Sequence, residues 1–448
     1  MKILVITRSE WSDQNSIGNT ISNIFGNIEP SNIANISFRG DGPQNSICEK
    51  YFIINENLLL EKIGFYYIKK IVLFFTGKKK VKFSSPIKEQ NSIEKKLVSY
   101  FRGSHNKLIY ILQDYLWRFP WWKTHKLHEF LNDFKPDIIF FPSFGIPYTH
   151  RVARYIAKTS STPLVAFHAD DYYFQSKLKL GFVDKLFSNM RSNEIHKTIT
   201  CAGLNYAISL KQAKIYSEYF GFEFKVLKKG VVLNSEIFSK RVIGDRNFIG
   251  GDIVVNLIYA GSLAYGRWKT IALLVNAINN LQSKGVNFKL DIYSQYMISD
   301  DIRSCIVVDG VSSFLGSVLA KDLSLKLSET DIVLHVESFD DEDIELTRYS
   351  FSTKIIDCLG SFACLLGFGP PNISSMEFLV ENNLGIVCIS KTDIERVLLG
   401  IYEDVSLLEQ VSNASRDYVI RNHDVNKIYS NIYLDFNEVI GNFKGQKT

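Results

Sequence analysis

The segment from Leu257 to Trp268 combines glycines with a basic side chain in a way that suits anion binding. It begins as an apolar, strand-like run, breaks at Gly261 and Gly266, and presents Arg267 at the start of a helical pattern. Backbone N–H groups at a helix N-terminus carry a partial positive charge, and an Arg adds a full one. We therefore predict a phosphate site here, with Arg267 as its main cation.

A second group of anion-binding residues lies at the start of a later helical pattern. Ser352 and Thr353 are natural N-cap residues, and Lys354 follows them directly. Two hydroxyls, free backbone N–H groups and an ammonium could converge on one phosphate. The alternative is an ordinary helix cap with an exposed lysine.

His168 and Asp170 stand at the carboxyl end of a predicted strand, Pro163–His168. Ligands of α/β folds bind beyond the carboxyl ends of the strands, and Asp170 is near enough in sequence to orient the imidazole. We predict a functional role for both residues, with a structural histidine as the alternative. No further His or carboxylate stands at ligand spacing, so the pattern predicts no metal site.

Two other stretches offer weaker signals for the same chemistry. The loop after the first strand contains Gly18, which would let the backbone approach a ligand closely, but it lacks the G-x-G-x-x-G pattern of dinucleotide sites. Glu337 follows another predicted strand and is the best partner that Asp170 has for a paired-carboxylate hydrolase. For the loop that contains Gly18, the alternative is an ordinary turn between a strand and a helix. Asp170 and Glu337 together give only thin support for a hydrolase.

The elements that would position these residues alternate between strands and helices in both halves of the chain. This alternation predicts an α/β fold of two doubly wound, Rossmann-like domains with parallel sheets that face a central cleft. The expected first domain is 1–230, with an irregular helical elaboration over 42–135 and a C-terminal helix, 430–448, that completes it. The second domain is expected over 231–429.

Composition limits the classes of partner. The 448 residues are 46% hydrophobic and 22% charged, and the net charge of +5 is too small for a dedicated nucleic-acid binder. The six scattered cysteines favour reduced thiols in a cytoplasmic protein. We expect no signal peptide and no membrane-spanning helix. The basic, aromatic segment Leu58–Lys82 predicts contact with an anionic membrane surface at the inner face of the plasma membrane, and a buried helix is its alternative.

Several segments, in this order, resemble the retaining GT-B glycosyltransferases of the family-4-like group, many of which build bacterial polysaccharides and glycolipids. The matching segments are Phe134–Phe140, Ala207–Ser209, Val226–Gly230, Tyr259–Arg267 and Phe314–Val318.

The resemblance implies transfer of a sugar from a nucleotide-sugar donor, a UDP- or GDP-sugar, to a hydroxyl of a saccharide or lipid-linked saccharide. It implies retained anomeric configuration and neither a metal nor another cofactor. Arg267 and Lys354 would hold the diphosphate, and His168 would lie beside the donor sugar, with Asp170 near it. The expected donor-binding residues are Gly18, Gly261, Ser262, Ser317, Val318, Glu337, Ser352, Thr353 and Asp357, of which Asp357 takes the ribose.

The sequence departs from that family at two positions. The family commonly has two glutamates separated by seven residues, and here Tyr349 and Asp357 occupy those positions. Ser262 stands where the family often has a first arginine. Two other functions therefore remain open: a nucleotide-sugar 2-epimerase on the same fold, and an inactive relative that binds nucleotide sugars.

Overall fold

The computed structural model of the chain describes residues 1–13, 16–40, 42, 44, 45, 47–54, 107–174, 181–231, 254–318 and 320–445. The predicted membrane segment, Leu58–Lys82, and most of the predicted elaboration over 42–135 lie outside the described residues. Within the described ranges, no helix is both long and apolar enough to cross a bilayer.

The first half of the chain forms a seven-stranded parallel sheet with the order β3-β2-β1-β4-β5-β6-β7. Every residue of β1, β2, β4 and β5 is buried, which is typical of a parallel sheet covered on both faces. The strands are β1 (Ile3–Thr7), β2 (Ile33–Ser37), β3 (Lys50–Ile53), β4 (Ile138–Pro142), β5 (Leu164–His168), β6 (Leu204–Ala207) and β7 (Lys225–Val226).

Six described α-helices connect and cover this sheet. They are α1 (Ser16–Phe25), α2 (Lys107–Leu116), α3 (His125–Phe134), α4 (Pro147–Thr159), α5 (Phe182–Cys201) and α6 (Leu210–Phe220). Two of them begin at side-chain caps, because Thr124 accepts a hydrogen bond from the backbone N–H of Leu127 and Ser209 from that of Gln212.

The second half forms a six-stranded parallel sheet with the order β10-β9-β8-β11-β12-β13. Its strands are β8 (Val254–Ala260), β9 (Asn287–Tyr293), β10 (Ser312–Gly316), β11 (Ile332–Val336), β12 (Cys364–Phe368) and β13 (Ile386–Cys388). Its helices are α7 (Arg267–Gln282), α8 (Asp300–Ile306), α9 (Ala320–Glu329), α10 (Asp341–Thr347), α11 (Lys354–Gly360), α12 (Ser374–Glu381), α13 (Ile394–Glu403) and α14 (Ser406–Asn422).

The last helix, α15 (Val425–Gly445), returns to the first sheet. Its buried Phe436 and Val439 belong to the same core as Phe25 and Phe140. The rings of Phe436 and Phe25 lie 6.3 Å apart. The chain therefore ends on the sheet with which it began.

The predicted fold class is confirmed, since both halves are doubly wound parallel sheets. Two strands, β7 and β10, were not expected from the sequence. Strand β7 has only two residues, and β10 is a sheet edge on which Ser313 and Leu315 are exposed. Neither strand carries the continuous apolar run by which the other strands are recognised.

Polar contacts hold the two halves together around the crossover of the chain. Lys229, which is buried, forms an ion pair with Asp357 of α11, and its carbonyl accepts a hydrogen bond from His423 Nδ1 at 2.8 Å. Lys211 of α6 pairs with Glu377 of α12. These contacts join the first half of the chain to the second.

Candidate active site

A cavity of about 560 Å³ lies between the carboxyl ends of the two sheets. On the first-sheet side it is lined by residues that follow β1, β4 and β5, among them Arg8, Ser143 and Asp170. On the other side it is lined by the ends of β8 and β11 and by the segment that leads into α11. This is the place where open α/β sheets bind ligands.

Arg267, the first residue of α7, lines this cavity and forms an ion pair with Glu337. The Glu337 Oε2 atom lies 2.9 Å from Nη2 and 3.1 Å from Nε of Arg267. Burial raises the pKa of Glu337, but Arg267 and His335 outweigh burial and hold that pKa below its ordinary value. Glu337 is therefore a carboxylate that fixes the guanidinium in place.

The turn before Arg267 favours a glycine. Gly266 has a φ of 65°, and a Cβ atom built on it would lie 2.1 Å from Asp343 Oδ2 and 2.5 Å from Ser338 Oγ. Glycine adopts this left-handed backbone without strain, and a larger residue would also have to displace the side chains of Asp343 and Ser338. Gly261 and Ser262, which the sequence placed in the phosphate loop, also line the cavity. The carbonyl of Ser262 accepts a hydrogen bond of 2.7 Å from the Tyr259 hydroxyl.

The structure brings Ser352, Thr353 and Lys354 to the same cavity. The backbone N–H of Ser352 donates to Ser375 Oγ at 3.1 Å, whereas the side chain of Thr353 makes no capping hydrogen bond to α11. Lys354 is exposed and, within the described ranges, forms no ion pair. Arg267 and Lys354 thus present two cations to one cavity, the first tightly held and the second unpaired.

Asp170 lines the opposite wall and touches both halves of the chain. Its Oδ2 accepts a hydrogen bond from the Tyr172 hydroxyl at 3.0 Å, and its Oδ1 accepts one from Ser350 Oγ at 3.3 Å. Burial raises the pKa of Asp170, although Tyr172, Ser350 and Arg267 each oppose this shift. A carboxyl group with a raised pKa in a cleft is a candidate functional residue.

His168 lies next to the cavity but does not line it. It is buried, its Nε2 lies 3.1 Å from Asn205 Oδ1, and its ring packs near Tyr216. Strand side chains alternate between faces, so Phe167 and Ala169 face the cavity and His168 faces α6. The ring is oriented by Asn205, whereas the sequence had suggested Asp170. Burial lowers the pKa of His168 from 6.5 to about 4.

Four other residues that were predicted to bind the nucleotide-sugar donor lie away from this cavity. Gly18 is buried, and its carbonyl accepts a hydrogen bond from Trp11 Nε1, while its neighbours Ile17 and Thr20 line the cavity. Asp357 is engaged by Lys229. Ser317 and Val318 line a second cavity, of about 510 Å³, together with Tyr293 at the end of β9.

Sequence reasoning missed Arg8 and His335, which both line the main cavity. Each lies at the carboxyl end of a strand, Arg8 directly after β1 and His335 as the fourth residue of β11. Among the described residues Arg8 has no ion-pair partner. Their position at strand ends was the signal that could have identified them.

The charges around the cavity favour an anionic ligand. Arg8, Arg267 and Lys354 line it together with one carboxylate, Asp170, while Glu337 is held behind Arg267. Within the described part of the chain, no group of three or more His, Cys, Asp or Glu side chains is arranged to hold a metal ion. Arg8, Arg267 and Lys354 supply the positive charge that an anion in this cavity would meet.

The fold is shared with enzymes of known structure, although neither protein-family models nor curated protein sequences match this chain. HepE from Anabaena, solved with UDP and glucose, is similar over 98% of this chain and 100% of its own, with 12% identity and a TM-score of 0.59. Sucrose-phosphate synthase from Thermosynechococcus elongatus has 9% identity and a TM-score of 0.62, over 98% of this chain and 99% of its own.

A third similar structure, trehalose 6-phosphate synthase from Burkholderia multivorans, covers 100% of this chain and 98% of its own, with 9% identity and a TM-score of 0.56. All three are glycosyltransferases of the GT-B fold. At such low identity the likeness shows the fold alone. The chain therefore has the GT-B fold, with its main cavity in the cleft between the two sheets.

Proposed function

We propose that this protein is a glycosyltransferase that moves a sugar from a nucleotide-sugar donor to a hydroxyl of a saccharide or lipid-linked saccharide. The observation that carries the proposal is the convergence of Arg267, Lys354, Ser352 and Thr353 on one cavity between the two sheets. Hydroxyls and two cations on one wall suit a diphosphate, and the facing wall leaves room for an acceptor.

The chemistry that such a site can perform follows from its charges. In sugar transfer, the glycosyl carbon gains positive character while negative charge builds on the departing diphosphate. Arg267 and Lys354 are placed to stabilise that negative charge, and Glu337 keeps the guanidinium oriented before the substrate arrives. The loss of one hydrogen-bond donor of this kind costs on the order of 3–4 kcal/mol of transition-state stabilisation.

The donor that we propose to test first is a UDP-sugar, with GDP-sugars second. HepE was crystallised with UDP-glucose, and an Escherichia coli trehalose-6-phosphate protein was crystallised with UDP-2-fluoro glucose. The cavities at Ser317 and at Arg267 offer separate places for a base and a diphosphate. We also infer that 1–230 with the C-terminal helix forms the acceptor domain, and 231–429 the donor domain.

Retention of configuration is the outcome that we propose from the resemblance to the family-4-like enzymes. His168 is proposed to act indirectly, by supporting the strand end that carries Ala169 and Asp170 to the cavity. Asp170 is the carboxyl group that faces the reacting sugar in this proposal. Identifying the anomer of the product by NMR tests retention, because an inverted product would reject it.

A role in cell-surface polysaccharide or glycolipid synthesis at the cytoplasmic membrane face is the biological setting that we propose. The basic, aromatic composition of Leu58–Lys82 supports it. Pelleting with liposomes should require anionic lipid and weaken with salt. Failure to pellet with anionic liposomes at low salt would reject membrane contact.

One experiment separates this function from its two alternatives. The purified chain is incubated with UDP-, GDP-, ADP- and CDP-sugars, with and without mixed saccharide acceptors, and the products are separated by chromatography. Release of nucleotide that depends on acceptor indicates a transferase. A free epimer of the donor sugar indicates an epimerase, and binding without either product indicates a sensor.

A further inference from the structure

The turn before Arg267 holds a tyrosine in a strained backbone conformation. Tyr265 has a φ of 54° and Gly266 a φ of 65°, and the Arg267 N–H donates to the Ala264 carbonyl at 3.4 Å. Positive φ at both central residues is the pattern of a type I′ turn, which favours Asn, Asp or Gly at these positions. A tyrosine there is strained, because its Cβ crowds the following carbonyl oxygen.

Helix termination does not account for this conformation. Three other non-glycine residues among those described have a positive φ, and each follows the end of a helix by one or two residues: Lys135, Ser161 and Asn383. Left-handed residues commonly end helices, whereas Tyr265 precedes α7. Tyr265 is also 53% exposed, so burial of its ring does little to offset the strain. Strain of this kind persists at ligand sites, where the strained residue contributes to binding.

The ring of Tyr265 lies beside the main cation of the cavity. The Arg267 Cζ atom is 5.9 Å from the centroid of that ring. A guanidinium over an aromatic ring at this distance is attracted by the electrons of the ring. Glu337 binds Nε and Nη2 of the same guanidinium. Arg267 therefore has two supports, a buried carboxylate and an exposed ring.

Tyr265 also lies near the first-sheet wall of the cavity. Burial and Asp170 raise the pKa of the Tyr172 phenol, and the phenol of Tyr265 adds to that rise. The two phenols therefore interact electrostatically, although they belong to different halves of the chain. Tyr172 and Arg267 both line the cavity. The exposed ring of Tyr265 thus stands at the rim of the cavity, near one residue of each wall.

A ligand at Arg267 changes what the ring of Tyr265 contributes. In the free protein water reaches the ring, and a cation–π contact at an exposed site is weak. A diphosphate bound to Arg267 would exclude water from the guanidinium and from the ring, and the same contact is stronger when it is desolvated. The ring therefore stabilises the occupied cavity more than the empty one. A residue without a ring, such as the Asn, Asp or Gly that the turn favours, lacks this effect.

We propose that Tyr265 is a positioning residue for the nucleotide-sugar donor, whose ring covers Arg267 and holds the guanidinium against the bound diphosphate. The turn keeps a strained tyrosine because of this contact. The effect belongs to the ring and not to the hydroxyl. This inference rests on the proposed function, because it assumes that a nucleotide sugar occupies the cavity.

Calorimetric titration with UDP-glucose, combined with urea unfolding, tests the inference. Tyr265→Asn removes the ring and supplies a residue that type I′ turns favour. It should bind UDP-glucose about tenfold more weakly, or about 1.4 kcal/mol, and unfold at a urea concentration no lower than that of the wild type. Tyr265→Phe keeps the ring and should bind as the wild type does. Lys135→Asn, at a φ of 50° after α3, is the matched control and should leave affinity unchanged.

Several results would overturn the inference and leave the proposed function standing. They are wild-type affinity in Tyr265→Asn, an equal loss of affinity in Tyr265→Phe, and an equal loss in Lys135→Asn. Lower stability of Tyr265→Asn than of the wild type would also overturn it, because the ring would then be retained for folding. Failure of UDP-glucose and of the GDP-, ADP- and CDP-sugars to bind the wild-type protein overturns the proposed function, and this inference falls with it.

Discussion

Arg267 and Glu337 form a buried ion pair beside the cavity, with Oε2 of Glu337 2.9 Å from Nη2 and 3.1 Å from Nε of Arg267. One carboxylate oxygen thus takes two guanidinium nitrogens and leaves the remaining donors for a ligand. Because both partners are largely buried, this pair links the stability of the fold to the charge of the proposed donor site.

We predict that Arg267→Ala lowers both activity and stability. Turnover should fall by roughly 10²–10³, because a hydrogen-bond donor to the leaving diphosphate is lost. The free energy of unfolding should fall by about 3–5 kcal/mol, because Glu337 is left buried without its guanidinium partner. Adding Glu337→Gln should recover most of the stability and none of the activity. Urea unfolding and donor turnover measure both, and recovered turnover in the double variant would contradict the assignment.

Lys354→Ala should lower activity without lowering stability. Lys354 is exposed and unpaired within the described ranges, so its removal should leave urea unfolding unchanged. Turnover should nevertheless fall by roughly 10²–10³ if the ammonium stabilises the leaving diphosphate. Lys126→Ala, at an exposed lysine of α3, is the matched control. Equal turnover in both variants would remove Lys354 from the site.

Two glycines with similar backbones allow a matched test of the turn before Arg267. Gly266→Ala places a Cβ 2.1 Å from Asp343 Oδ2 at a φ of 65°, whereas Gly285→Ala meets no atom within 4 Å at a φ of 83°. Each should lose about 1–2 kcal/mol from left-handed strain. Only Gly266→Ala should lose more than this, together with donor affinity. Equal stability losses would show that the Asp343 contact is unimportant.

Two buried histidines predict a loss of stability in acid. Burial lowers the pKa from 6.5 to about 4 for His168 and to about 3 for His150. Below pH 6.5 the unfolded chain therefore binds protons that the folded protein does not, so stability rises with pH up to about 6.5 and is lost below it. For His168 the full effect is on the order of 3 kcal/mol.

His168→Asn is the variant that tests this dependence. It should flatten the fall in unfolding free energy between pH 6.5 and pH 4, as measured by urea unfolding at a series of pH values. An unchanged slope would mean that His168 is not the buried neutral imidazole that the structure shows.

Treatment with EDTA tests whether Arg267 and Lys354 stabilise the diphosphate without a metal ion. If Arg267 and Lys354 offset the diphosphate, transfer should persist in excess EDTA. The assay compares turnover with EDTA, with added Mg²⁺, and without either. Activity that is lost in EDTA and restored only by Mg²⁺ would require a different site chemistry.

The fold and the second-sheet wall of the cavity were predictable from the sequence. The apolar runs of β1, β4, β5, β8 and β11 and the helical patterns between them specify parallel sheets, and the ends of such strands meet at one edge. Arg267 and Lys354 stand directly at helix starts, where local pattern and final position coincide. Both residues line the cavity.

Other site residues depend on contacts that local patterns do not encode. His168 was expected in the cavity because of its strand-end position, but the alternation of β5 turns it toward Asn205. Asp357 pairs with Lys229, which is 128 residues away in sequence. Sequence spacing gave no indication of that partner, nor of the contact between Ser350 and Asp170 across the cleft.

Binding of a nucleotide sugar in this cavity is the central claim, and a thermal-shift titration with UDP-, GDP-, ADP- and CDP-sugars tests it most directly. At 100 times its dissociation constant, a ligand should add about 2.7 kcal/mol of stability. We predict a concentration-dependent rise in Tm with at least one of these donors, much weakened in Lys354→Ala and unchanged in Lys126→Ala. No shift with any of the four at millimolar concentration would contradict the account.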